Sequence, residues 1–342
     1  MSEVILNSQY NVRVSNNSLE YILINTPYYD ESYCLAVNNA SVLFNNASSS
    51  LTFIPNFNQL SYYYANNLDR MCNYCRSLQL NIFKNSSPIA KNMSSAYFYC
   101  FNLRGEPYCG ALVTNMSSAY YYCRNLTGAP VCGNNVTNLA ATYYGCNNLT
   151  GLPVCGPNVT DMYSTYYNCQ NLTGSPVCST QATSLSSCYY NCLNLTGQPV
   201  CGPKVTSLAS TYSNCWNLTG SPVCGANVTT MYCAYQNCCL LTGNPIFGEK
   251  VNNIAYAYRN CYLLSGSCYL NNYISSSVAI RNCFNNCKQP ITLYVKNFDT
   301  FNLIKNTTNT YSIVGQAITW TTINTNAFNN TGLYNLTVIY QP

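Results

Sequence analysis

The sequence predicts an α/β fold, an elongated solenoid of about eight 23-residue coils closed by separate N-terminal and C-terminal caps. Three observations predict it. Cysteine recurs at Cys100, Cys123, Cys146, Cys169, Cys192, Cys215, Cys238 and Cys261, a step of 23 residues each time. Leucine (Leu103 to Leu264), glycine (Gly105 to Gly266) and proline (Pro107 to Pro245) follow in phase, and so does a tyrosine column from Tyr97 to Tyr258. A second cysteine column, Cys109, Cys132, Cys155, Cys178, Cys201 and Cys224, keeps the same step. Each coil therefore reads C-x-N-L-T-G-x-P-V-C-G-x-x-V-T-x-(L/M)-x-x-x-Y-Y-x.

In chain order, residues 1–52 fit no repeat and are expected to form a cap or attachment segment. Residues 53–92 carry similar Tyr and Leu placement and are expected to be degenerate repeats. Residues 93–290 are the repeat array. Within one coil, "LTGxPVC" is expected to be a short extended segment with Leu and the Val-Cys pair turned inward, its ladder bonding limited by Pro. Glycine in "GxNVT" permits a corner. Leu139 and Tyr143 stand four apart, the spacing of a short helix or 3₁₀ turn on the opposite side. A single coil cannot bury its apolar face, so stacking on both neighbours must bury it. Eight coils at roughly 4.8 Å each would span about 40 Å. Residues 291–342 change composition. "ITLYVKNFDTFNLIKN" and "AITWTTINTN" alternate apolar and polar residues as strands do, which predicts a β-rich C-terminal cap.

The repeat, as in "VTNLAATYYGCNNLTGLP" (136–153) and "VTDMYSTYYNCQNLTGSP" (159–176), resembles the BspA-like leucine-rich repeats found in surface proteins and phage proteins. The likeness covers about 93–290. Tyr stands where that family has Phe, and "LTGxPVCG" replaces its Leu/Ile-rich strand. The resemblance implies a leucine-rich-repeat-like solenoid and a place on a surface or particle.

Only 7% of residues are charged, although the hydrophobic fraction is 48%, against about 25% charged in an average soluble domain. The net charge of +5 is thinly scattered, so no polybasic footprint points to nucleic acid. The surface must be made polar by Asn, Ser, Thr and Tyr, which suits packing against copies of itself or other structural proteins in an assembly. The start, "MSEVILNSQYNVRVSNNSLEY", shows neither a basic n-region nor an apolar h-region, so no secretory leader is expected. No run approaches the length of a membrane span.

The cysteines invite chemistry, yet the second column continues as Phe247 and Leu270, residues that no disulfide partner could become. Free buried thiols acting as small apolar groups are the favoured reading of both columns, with cross-links between neighbouring coils the alternative. "MCNYC" (71–75) and "NCFNNC" (282–287) are candidate zinc half-sites, but the chain has no histidine and no second C-x-x-C at a suitable spacing. No metal and no cofactor is expected. The absence of histidine removes the commonest general base, and between residues 100 and 245 the only carboxylates are Glu106 and Asp161. The chain is therefore not expected to be an enzyme. Asn-x-Ser/Thr triplets at Asn125, Asn148, Asn171, Asn194 and Asn217, and at Asn135, Asn158 and Asn227, are glycan acceptors in a secreted protein and hydrogen-bonded ladders otherwise. The ladder is favoured, because the first of these columns becomes Leu240 and Leu263 and is expected to be partly buried.

The second Tyr of each pair, Tyr121, Tyr144, Tyr167 and Tyr190, is the candidate binding column. It drifts to Ser213 and Gln236, which predicts exposure, and Tyr suits adaptable recognition of glycans or proteins. The expected function is a non-catalytic structural or binding protein in a phage or virus particle (tail, fibre or capsid surface), with contact to a host glycan or receptor. A cell-surface or secreted adhesin of a bacterium or protist, and an intracellular interaction scaffold, are the alternatives.

Overall fold

The computed structural model describes residues 66–79, 89–305 and 336–341, and the backbone of strands β1 (Ser2–Asn7), β2 (Tyr10–Ser15), β3 (Ser18–Ile22), β6 (Ser312–Val314) and β7 (Ala317–Thr321). Much of the expected N-terminal cap (23–52), most of the degenerate repeats (53–65 and 80–88) and parts of the C-terminal cap lie outside the described residues. The chain divides into two compact units, Met1–Val159 and Thr160–Pro342.

In the first unit, β1, β2 and β3 form an antiparallel sheet in that order. Its repeats bond to one another through parallel bridges, Asn67 to Asn92, Asn92 to Asn115 and Asn115 to Asn138. Alternate N–H groups divide the work. Those of Met116, Ser118, Tyr120 and Tyr122 donate to the carbonyls of Asn138, Ala140, Thr142 and Tyr144 in the next repeat, while those of Ala119, Tyr121 and Cys123 close turns onto the residue three before. The 23-residue period brings the same backbone groups together, mostly at offsets of 22 or 23, so one bonding pattern recurs from repeat to repeat.

The segment that sequence spacing marks as a helix or 3₁₀ turn is instead a run of tight turns. Two residues of each such run carry positive φ, Ser118 (55°) and Tyr122 (57°) in one, Ala141 (53°) and Gly145 (73°) in the next. Left-handed residues reverse the chain every few positions, and a continuous helix cannot form. The turns are started by side chains: the Asn115 and Asn138 carboxamides accept the N–H two residues on, at 2.9 and 2.8 Å. Between residues 89 and 265 pairing is confined to isolated bridges, with no strand in the "LTGxPVC" segment.

The second unit repeats the scheme, with parallel bridges from Asp161 through Ser184, Ser207 and Thr230 to Asn253. Regular sheet begins only after the last repeat. Strands β4 (Gly266–Leu270), β5 (Ile291–Val295) and β8 (Leu336–Tyr340) run parallel, β7 adds antiparallel to β8, and β6 adds antiparallel to β7. One part of the expected β-rich cap is corrected. Phe298–Lys305, read as strand, is the helix α1. Asn297 caps it, accepting the Thr300 N–H at 2.9 Å, and Phe301 and Ile304 bury one face at the i, i+3 spacing.

Both units completely bury the in-phase leucines (Leu103 to Leu264), the corner valines (Val113, Val136, Val159, Val205, Val228 and Val251), the first-column Cys and the first-column Tyr. Val131, Val154, Val177, Val200 and Val223, expected to turn inward, are instead half-buried. The repeats approach closely at the corner glycines. A Cβ built on Gly202 would lie 2.8 Å from the Ser179 carbonyl oxygen and 3.0 Å from Cys178 Sγ, and backbone cannot swing aside. Gly202→Ala is therefore expected to destabilise the second unit by about 1–3 kcal/mol through overpacking. A denaturant midpoint equal to that of the parent chain would show that the repeats separate freely.

Candidate functional site

Three side-chain columns leave each turn run, and their environments differ. The first Tyr column is core. Tyr97, Tyr120 and Tyr143 stack at 5.4 and 5.7 Å in the first unit, and Tyr166, Tyr189, Tyr212, Tyr235 and Tyr258 stack at 5.4–5.6 Å in the second. Each hydroxyl whose bonds are resolved is shared by one residue across the coil. Tyr120 Oη accepts the Tyr108 N–H at 2.9 Å and donates to the Tyr108 carbonyl at 2.8 Å.

In the second column the candidate binding residues Tyr121, Tyr144, Tyr167 and Tyr190 are half-buried, and Ser213, whose place in the column predicted exposure, is buried. Phe98, Tyr121 and Tyr144 stack at 4.6 and 4.5 Å, and Tyr167 stacks on Tyr190 at 4.5 Å. Both faces of Tyr121 are thus covered, and Tyr144, Tyr167 and Tyr190 each have one face covered by a neighbouring ring. The structure brings Tyr121 and Tyr144 together in one unit and Tyr167 and Tyr190 together in the other.

The third column, one residue before the first-column Cys, was not singled out from the sequence. Its φ is positive in every repeat from Tyr74 (59°), Tyr99 (60°) and Tyr122 (57°) to Asn260 (61°) and Asn286 (61°). Asn168, Asn191, Asn214, Asn237, Asn260 and Asn286 hold the place in the second unit, where Asn suits left-handed backbone. There the carboxamides form a ladder: Asn191 donates to Asn168, Asn237 to Asn214, Asn260 to Asn237 and Asn286 to Asn260. In the first unit Tyr74, Tyr99 and Tyr122 stack instead, at 5.2 Å for both steps, and meet the second column edge to face. Two guanidiniums flank them. Arg76 lies over Tyr74 and Phe101 at 5.8 and 5.6 Å, Arg124 over Phe101 and Tyr122 at 5.1 and 5.2 Å. Partial burial, then the neighbouring Tyr122 and Tyr74 hydroxyls, push the Tyr99 phenol upward against the lowering pull of Arg124 and Arg76. The signal in the sequence was the departure of this column from Asn to Tyr.

The cysteine columns are free thiols. Cys100, Cys123, Cys146, Cys169, Cys192, Cys215, Cys238 and Cys261 are buried, and they are donors as well as apolar filling. Cys123 Sγ donates to the Tyr97 carbonyl at 3.1 Å, and Cys215 Sγ to that of Tyr189 at 3.0 Å. The second column is corrected. Cys109, Cys132, Cys155, Cys178, Cys201 and Cys224 are half-exposed, and in all but Cys155 the sulfur lies against a corner glycine of the next repeat rather than inside the coil. Burial still pushes the thiols of Cys109 and Cys178 up to about 11 and that of Cys224 to about 12. Among the described residues no group of three or more Cys, Asp or Glu is placed to hold a metal ion.

The Asn-x-Ser/Thr columns are also partly corrected. Leu240 and Leu263, taken as a sign of burial, are 42% and 44% exposed, as Asn148, Asn171, Asn194 and Asn217 are exposed. The slot is at the surface. Ladder bonds do occur: Asn125 Nδ2 donates to Asn102 Oδ1 at 3.3 Å, and Asn135, Asn158 and Asn227 donate to carbonyls of the preceding repeat at 2.9–3.0 Å.

The chain is cysteine-rich, with 23 in 342 residues. Among the described residues no helix is long and apolar enough to cross a membrane. No family model matches the chain, and neither does any curated protein or solved structure.

Proposed function

We propose that this is a non-catalytic repeat protein, a BspA-like α/β solenoid that serves as a structural and binding component of a phage or virus particle. The observation that carries the reading is the repeat-to-repeat backbone bonding within each unit. A strip of N–H and C=O groups is spent on neighbouring repeats at offsets of 22–26 residues, leaving the outward face to neutral polar rows. Thr183, Thr206 and Thr229 are exposed, and each hydroxyl donates to a carbonyl of the preceding repeat at 3.1–3.2 Å. Such a surface carries little charge to repel a copy or another structural protein. The buried thiols and phenols are held neutral and hydrogen-bonded, which is a packing role rather than a nucleophile's.

The test is localisation. Antibodies raised against the recombinant chain are expected to decorate purified particles in electron micrographs, and the chain to co-purify with them at fixed stoichiometry. Recovery of the chain only from cell envelopes or culture medium would reject the particle reading.

One observation favours the adhesin alternative. Asn148, Asn171 and Asn194 are exposed, as are the Thr residues of their triplets, so a glycosylating enzyme could reach them. In-register repeats crowd neighbouring acceptors. A secreted chain is therefore expected to carry glycans on some triplets and not on adjacent ones, which intact-mass spectrometry of native material reads directly.

A further inference from the structure

Three tyrosines sit where the local rules of this chain ask for asparagine. At the left-handed position before each first-column Cys, the second unit uses Asn six times, whereas the first uses Tyr74, Tyr99 and Tyr122 before Gly145 closes the series. A bulky side chain in left-handed backbone costs roughly 1–2 kcal/mol per residue. None of the three rings repays that by entering the core, since all three remain half-exposed. Local strain held in three successive repeats, in side chains that add no buried core, is the mark of a site rather than of packing.

The chemistry of the place is specific. Tyr99 lies between Tyr74 and Tyr122, so both of its faces are taken up by stacking and offer a nucleic-acid base nowhere to lie. What remains outward are ring edges, which carry the positive part of the quadrupole, and phenol hydroxyls spaced by the repeat. Arg76 and Arg124 stand on either side of Phe101, held by ring contacts and carrying no ion pair among the described residues. Hydroxyl donors, positive ring edges and two unpaired guanidiniums complement oxyanions set along a polyhydroxylated chain.

We propose that Tyr74, Tyr99, Tyr122, Arg76 and Arg124 form a binding site for an acidic glycan, a polysaccharide bearing sulfate or carboxylate groups. The proposal deepens the binding role given above and rests on it. Its test is independent of particle localisation, so either can fail alone.

The full chain is titrated calorimetrically with heparin (sulfate and carboxylate), polygalacturonate (carboxylate only), neutral dextran, inorganic sulfate and a thymidine oligonucleotide. Binding of one or both acidic polysaccharides, without dextran, sulfate or oligonucleotide at equal concentration, is expected, and the two polysaccharides identify the anion. Arg76→Gln with Arg124→Gln is expected to weaken binding about tenfold or more, and the affinity to fall with added salt. Tyr99→Asn with Tyr122→Asn, which installs the second unit's own residue at two left-handed positions, is expected to weaken it likewise while keeping the unfolding midpoint. Binding by no acidic polysaccharide, unchanged affinity in the Tyr→Asn variant, equal binding of the oligonucleotide, or displacement by inorganic sulfate alone would each overturn the site.

Discussion

Under reducing conditions the folded chain is expected to unfold between about pH 9 and pH 10, after a flat stability profile from pH 6 to 8. The cause is the thiol content of the core. In the second unit Cys192, Cys215, Cys238, Cys261, Cys268, Cys283 and Cys287 are held well above the ordinary thiol range, first of all by burial. Their Sγ–H groups are donors to backbone carbonyls where the partner is resolved, as Cys238 to Tyr212 and Cys287 to Tyr258, both at 3.1 Å. An unfolded thiol ionises near 8.5, so above that pH the unfolded state gives up protons that the folded state keeps. The sign follows: stability is complete below about pH 8.5 and is lost as pH rises toward the folded values, about 12 for Cys287.

Each such group costs about 1.4 kcal/mol per pH unit in that window, and seven together cost about 10 kcal/mol per unit. That is comparable to the whole stability of an ordinary domain, about 5–15 kcal/mol. Buried Tyr189, Tyr212, Tyr235 and Tyr258, also raised by burial first, steepen the loss above pH 10. Denaturant midpoints at pH 7, 8, 9 and 10, read by far-UV dichroism, check this. Equal midpoints at pH 7 and pH 10 would mean that the thiols are not buried as described.

What could be read from the sequence was whatever repeats with period 23. Tyr97 to Tyr258 and Cys100 to Cys261 stand out because core positions tolerate few residues, and the structure buries them all. Three things were not legible, each for a physical reason. The left-handed turns were hidden because Ser118 and Ala141, unlike Gly145, do not advertise positive φ; only the Asn column did, and it looks like ordinary polar surface. The exposure of Cys132 was hidden because a corner residue and a core residue both read as small and apolar, and its sulfur is decided by where the facing Gly156 leaves room. Helix α1 was mistaken for strand because Phe301 and Leu303 alternate with polar neighbours over so short a run, whereas Phe298, Phe301 and Ile304 keep the helical spacing that the Asn297 cap selects. The candidate site was half legible. Tyr121 and Tyr144 were picked for their drift in later repeats, whereas Tyr74, Tyr99 and Tyr122 belong to a column whose meaning depends on a backbone angle.

Tyr212→Ala is expected to be the most damaging single substitution in the second unit, at about 5 kcal/mol or more. The ring lies fully buried between Tyr189 and Tyr235, at 5.6 and 5.4 Å and nearly parallel to both, so its removal opens a cavity that the stacked rings cannot close. Truncating a buried aromatic to Ala costs about 3–5 kcal/mol by itself. The hydroxyl adds a second loss. It accepts the Val200 N–H at 3.0 Å and donates to the Val200 carbonyl at 2.7 Å, so deleting it strands both backbone groups on the facing side of the coil. Tyr212→Phe separates the two effects, since Phe284 continues the stack on Tyr258 at 5.7 Å and a ring without hydroxyl therefore fits the space. That variant is expected to lose only about 1–3 kcal/mol, the desolvation left uncompensated at Val200. Hydrogen exchange places the loss: the Val200 amide should lose protection in Tyr212→Phe while the amides of distant repeats keep theirs, because each repeat is supported by its neighbours alone. A Phe variant with parental stability and a protected Val200 amide would show that the phenol is mere filling, and that the tyrosine column is chosen for its shape.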